Sequence, residues 1–204
     1  MRIGVCGGTF DPVHLGHLVL AEQSREQAAL DQVWFIPSAR PPHKQDRSVT
    51  PFHHRLEMLQ LAIAGHAAFR VNDLEAERPG VSYTADTLNE LRSRNPGDDF
   101  DFIIGSDCLP DLVHWYQPAR ILELAGLIVV KREGWPLWSE EELRLALHLP
   151  AGVPIRQRAV EMPTIAISSS DLRDRAATGR SLRYLVPRAV ECYIETHQLY
   201  QQQT

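Results

Sequence analysis

The stretch MRIGVCGGTFDPVHLGHLVL (residues 1–20) decides how the rest of the chain is read. Residues 2–6 form a short apolar run, a candidate buried strand. Gly7 and Gly8 follow, then an Asp-Pro turn, then His14, Gly16 and His17. An apolar period near 3.6 then predicts a helix over residues 15–29. Glycine has no Cβ, so backbone N–H groups can approach an anion closely, and the helix turns its positive N-terminal end to the same place. The stretch is not G-x-x-x-x-G-K-[ST], since no lysine follows, nor G-x-G-x-x-G, since Cys6 stands where a glycine should be. His14 and His17 are three apart and share a helix face. Imidazoles donate hydrogen bonds and can carry charge near neutral pH, which suits a phosphoryl transition state. Asp11, His14 and His17 could also supply three metal ligands. The glycine turn already accounts for an anion site, so no metal is expected there.

Outward from this stretch, strand-like and helical patterns alternate. Strands are expected at 32–37, 69–73, 100–105 and 126–132, with a sixth around 155–158. Thr50-Pro51 reads as a cap and first-turn proline for a helix to about Ala64. Ser82 or Thr84 caps a helix that Asn95-Pro96-Gly97 ends, and Ser139 caps another. SSDLRDRAA and PRAVECYIETHQ are C-terminal helices. The alternation predicts an α/β fold: a Rossmann-like, doubly wound, mostly parallel sheet with a C-terminal helical part from about residue 168, all in one domain. Ligands then bind at the carboxyl ends of the strands, in the loops after residues 6, 36, 73 and 105.

Bulk properties narrow the function. A net charge of −5 and a pI near 6.0 give no overall attraction for nucleic acid or an anionic membrane. The three cysteines, Cys6, Cys108 and Cys192, lie far apart, as expected of reduced thiols in the cytoplasm. No signal peptide or membrane span is expected. A homo-oligomer stays open.

Four further stretches carry chemistry. PSARPPHK (37–44) is a proline-stiffened arm that presents Lys44, one of two lysines in the chain. SYTADTL (82–88) opens a helix whose free N–H groups lie near Tyr83 and Thr84. FIIGSDCLPDLVHWYQ (102–117) ends a strand at Gly105 and places Asp107 at the sheet edge, where a carboxylate can take ribose hydroxyls. Trp115 and Tyr116 follow, suited to a flat heterocycle or to the core. ISSSDLR (167–173) caps a helix with hydroxyls and sets Arg173 on its first turns, where its fork can grip phosphate.

Together, GGTFDPVHLGH (7–17) resembles the H-x-G-H nucleotidyltransferase superfamily, whose members transfer a nucleotidyl group and release pyrophosphate. Through most of the chain the five blocks are similar to bacterial nicotinate mononucleotide adenylyltransferases. The resemblance implies that AMP passes from ATP to nicotinate mononucleotide, with Mg²⁺ accompanying the ATP rather than a protein ligand set. It implies His14, His17, Lys44 and Arg173 as catalytic. It places Gly7, Gly8, Thr9 and Phe10, with Gly105, Asp107, Ile167, Ser168 and Ser169, at the ATP. It places Gly8, Thr9, Phe10, Tyr83 and Thr84, with Trp115, Tyr116 and Arg132, at the mononucleotide. Arg55 matches a family arginine and is assigned a supporting role. Ser106 and Ser170 depart from the family's usual alanine and threonine. Rival readings are a nicotinamide-specific or dual-specificity enzyme, a phosphopantetheine adenylyltransferase, and a regulator that has lost catalysis. A synthetase of the H-I-G-H class would need a K-M-S-K-S loop, which two lysines cannot supply.

Overall fold

A computed structural model describes residues 1–42, 49–150 and 152–201. Six strands, β1 (Arg2–Gly8), β2 (Gln32–Pro37), β3 (Phe69–Val71), β4 (Asp99–Gly105), β5 (Gly126–Val130) and β6 (Gln157–Val160), form one sheet in the order β3-β2-β1-β4-β5-β6. Every pairing is parallel. This is the doubly wound Rossmann order. Parallel strands are covered on both faces, which is why β5, GLIVV, is buried at every residue.

The helices are α1 (Leu15–Gln27), α2 (Phe52–Ile63), α3 (Thr84–Arg94), α4 (Leu109–Leu112), α5 (Pro118–Leu124), α6 (Glu140–Ala146), α7 (Ser169–Ala177) and α8 (Arg188–Thr196). One core cluster joins Ile3, Val5, Phe100 and Leu127 of the sheet to Leu88 and Leu91 of α3 and Ile121 of α5. The other joins Cys6, Val33 and Ile128 to Leu20 of α1, Leu59 of α2, Leu172 of α7 and Val190 of α8. Side chains of a strand alternate between faces, so Val5 and Cys6 enter different cores. Among the described residues, no helix is long and apolar enough to cross a membrane. Cys6, Cys108 and Cys192 are all free.

Several local expectations shift. The first strand runs through both glycines, with Gly7 opposite Ile36 and Gly8 opposite Pro37 of β2. The chain turns only at Phe10, with φ +50°. Thr50 does not cap α2; the N-cap is Pro51, and the Thr50 peptide is used elsewhere. Neither Ser82 nor Thr84 caps α3, whose N-cap is Tyr83. The Ser82 hydroxyl instead accepts from the Arg40 peptide N–H at 3.1 Å, tying the arm after β2 to α3. Ser139 and Ser168 cap α6 and α7 as expected. The sixth strand begins two residues later than its sequence suggests, in register with Leu127–Val130.

Candidate active site

Strand order reverses between β1 and β4, and their carboxyl ends bring Gly7-Gly8 and Gly105 to one edge. There α1 starts with His14 as N-cap in extended backbone, φ −144°. The His14 peptide N–H donates to His17 Nδ1 at 3.2 Å, and the two rings stack with centroids 3.7 Å apart. Because Nδ1 of His17 accepts, the neutral ring carries its proton on Nε2, the nitrogen left to donate. Gly16 gives room to the neighbouring ring: a Cβ there would lie 3.0 Å from His14 Nδ1.

Burial, then the charge of Arg132, pushes His14 down to about 4. His17 is lowered well below its ordinary range by burial, His14 and Arg132 in turn. The pair is therefore neutral at pH 7. A consequence for stability follows. Between about 4 and 6.5, an unfolded His14 takes a proton that the folded chain refuses. Stability is full above that window and is lost as pH falls through it, by about 2 kcal/mol from pH 7 to pH 5. Chemical denaturation at those two pH values checks this, and His14→Gln should remove the His14 share of the difference while leaving that of His17.

Asp11, 3% exposed, gathers the site. Its carboxylate accepts from the Tyr200 hydroxyl at 2.8 Å and from the Thr50 peptide N–H at 3.2 Å. Its carbonyl accepts from Arg173 at 2.7 Å, and Ser169 donates to the next carbonyl, Pro12, at 2.9 Å. Arg55, buried, donates to the carbonyls of Thr9 and Thr50, both at 2.8 Å. One loop is thus pinned to the approach to α2, to α7 and to Tyr200 after α8. Tyr200→Phe should cost about 2 kcal/mol, since it strips a donor from a buried carboxylate. Thermal unfolding should drop by roughly 4–8 °C.

On the other side of Gly7, Gly8 and Thr9 lies a cavity of about 240 Å³. Its wall includes Tyr83, Thr84, Trp115 and Tyr116, as the sequence suggests, and also Glu75, Thr87 and His114. Tyr83 and Tyr116 lie ring to ring at 4.5 Å, and Trp115 packs edge-on to Phe102. α3 has no side-chain cap, so the N–H groups of its first turn are free of such a partner. Glu75 is buried. One oxygen accepts from Thr87 Oγ1 at 2.6 Å, and the other has no partner. Arg78 donates to the same Thr87 hydroxyl at 2.8 Å.

The remaining expected residues divide. The Phe10 ring is in the core, 2% exposed and edge-on to His17, so only its backbone faces a ligand. The Ser168 hydroxyl accepts the Asp171 N–H as the cap of α7 and keeps its proton to donate, that of Ser169 donates to Pro12 and keeps its lone pairs, and Ile167 packs against the core. Asp107 stands at the end of β4 with Arg132 Nε 3.8 Å away. Arg132 is absent from the cavity wall. Lys44 lies outside the described residues. No cluster of three or more His, Cys, Asp or Glu side chains able to hold a metal occurs among those residues. Sequence reading did not single out Tyr200 or Glu75. The Tyr200 contact spans 189 positions, and no local pattern marks it.

The cytidylyltransferase-like family model matches residues 5–175. A Thermus thermophilus relative named "probable nicotinate-nucleotide adenylyltransferase" is 48% identical over 200 residues, 98% of this chain and all of the relative. This chain belongs to the nicotinate-nucleotide adenylyltransferase family. A Geobacillus thermodenitrificans member bearing the same name is 42% identical, covering 98% of this chain and 86% of its own. The fold matches that of a Plasmodium falciparum nicotinic acid mononucleotide adenylyltransferase solved with NaAD, with a TM-score of 0.78, 21% identity, and coverage of 98% of this chain and 97% of that one.

Proposed function

We propose that this chain transfers AMP from ATP to nicotinate mononucleotide, releasing pyrophosphate and forming nicotinate adenine dinucleotide. One observation carries the reading. A ring-sized cavity bounded by the first turn of α3 and by Trp115 opens onto Gly7-Gly8-Thr9, the end of β1 that leads to His14 and His17. A mononucleotide with its ring in that cavity brings its phosphate to the glycines. The family relationship supports the same activity.

The nucleophile is the mononucleotide phosphate, already ionised near pH 7, so no general base is required. Catalysis is positioning plus stabilisation of charge. His17 Nε2–H donates to the transferred phosphoryl, and Arg173 and Lys44 hold the triphosphate. Asp107 takes ribose hydroxyls. A divalent ion, Mg²⁺ in this reading, comes with the triphosphate and draws its ligands from phosphate and water. The reaction is cytoplasmic and needs neither nucleic acid nor a membrane. The test is ATP with a panel of acceptor mononucleotides, scored by pyrophosphate release. Release with nicotinate mononucleotide is expected; none with any acceptor would leave a nucleotide-binding regulator.

A further inference from the structure

Arg132 sits two residues beyond β5, at a corner the chain builds with care. The turn Arg132-Glu133-Gly134-Trp135 closes with the Trp135 N–H on the Arg132 carbonyl at 3.1 Å, and Gly134 has φ +80°. Type II turns give that position to glycine. The buried Ser106 hydroxyl grips both ends of the turn. It accepts from the Arg132 peptide N–H at 2.9 Å and donates to the Trp135 carbonyl at 3.2 Å.

The side chain so held lies over the end of β4. A Cβ on Gly105 would come within 3.4 Å of Arg132 Nε. That Nε is buried without a hydrogen-bond partner, and Asp107 Oδ1, at 3.8 Å, is too far to serve as one. Arg132 is also close enough for its charge to act on both His14 and His17. It is absent from the wall of the ring cavity. A guanidinium with a buried donor that makes no hydrogen bond, at the end of β4 beside Gly105 and Asp107 and off the wall of the ring pocket, fits a phosphate better than a ring carboxylate.

We propose that Arg132 is a phosphate ligand of the reaction centre, donating to the phosphate oxygens of ATP during adenylyl transfer rather than to the nicotinate carboxylate. This rests on the adenylyltransferase reading. In the step it assists, an acceptor phosphate oxygen bonds to the α-phosphorus. The bond from that phosphorus to the α–β bridging oxygen breaks, and the electron pair leaves on pyrophosphate. Arg132 then meets negative charge as it gathers on the departing oxygens. The histidines, neutral before ATP arrives, supply donors there, and Arg132 supplies charge.

Arg132→Ala and Arg132→Lys test it, with thermal unfolding confirming that each is folded. In Arg132→Ala, kcat should fall about 30- to 100-fold, with part of the loss restored in Arg132→Lys. The ratio of kcat/KM for the nicotinate and nicotinamide mononucleotides should stay within about twofold, because the ring pocket is untouched. Binding of inorganic tripolyphosphate, measured by calorimetry, should weaken about tenfold in Arg132→Ala. That probe has no ribose, so a loss cannot come from a displaced Asp107. An NMR titration should show His14 rising from about 4 when the charge is removed. A collapse of the acid-to-amide ratio would return Arg132 to the nicotinate, and unchanged tripolyphosphate binding would also overturn the proposal. If the wild-type protein makes no dinucleotide, the adenylyltransferase reading fails, while the tripolyphosphate result still reports on Arg132.

Discussion

His17→Ala is expected to lower kcat by roughly 10²–10³, the usual loss when one preorganised transition-state donor is removed. KM for either substrate should move far less, because a donor aimed at developing charge contributes little in the ground state. The variant loses the hydrogen bond from the His14 peptide and the ring contacts to His14 and Phe10, so thermal unfolding must first show that it is folded. His14 itself is 6% exposed and stacks on His17, so His14→Ala would disturb its neighbour as well. Single-turnover kinetics on the folded variant are the check. A near-normal chemical step would remove His17 from the mechanism.

The larger effect is expected in the acceptor. Nicotinate and nicotinamide mononucleotides differ by a carboxylate against a neutral amide. Free N–H groups at the start of α3 favour a group that only accepts, and the helix end adds a favourable field for negative charge. An amide would turn its NH₂ toward donors and leave groups unpaired. Sites built this way discriminate by up to about 10⁴, and that is the preference expected here in kcat/KM for the acid. Among the described residues, Glu75 is the one acidic side chain in the same wall. Its paired oxygen accepts from a hydroxyl that Arg78 also holds, and Arg78 is itself ion-paired with Glu90 at 3.3 Å. An indole in that wall would stack on either ring alike, so Trp115→Ala should weaken both acceptors by about 1–3 kcal/mol and leave their ratio nearly unchanged. Comparable kcat/KM for the two mononucleotides would replace acid specificity with dual specificity.

The sheet was legible because period and length decide it. Strongly apolar runs such as GLIVV, separated by helical repeats, admit few arrangements other than a covered parallel sheet. Caps were less legible. Ser139 and Ser168 act where they stand, but Thr50 and Ser82 give their backbone or hydroxyl to partners distant in sequence. Such a contact competes with capping and leaves no local trace. The same holds for the site. His14, His17, Tyr83, Thr84 and Trp115 lie in short motifs whose spacing is their meaning. Tyr200 and Arg55 act through backbone or carboxylate partners that only the fold brings near. The charge state of the histidines is not legible from residue type, since burial, the dominant cause of their shift, is a property of packing.

The wall of the ring cavity and the histidine pair have no residue in common. Besides Val5 and Gly7–Thr9, the wall draws on residues 36–42, 75–88 and 102–116, while the pair lies at the start of α1 and Arg173 in α7. They meet through the end of β1, from Gly7 to Thr9. Divergence can therefore rebuild one half without touching the other. A lineage could acquire a new acceptor by drift in the wall alone and inherit the adenylyl-transfer chemistry unaltered.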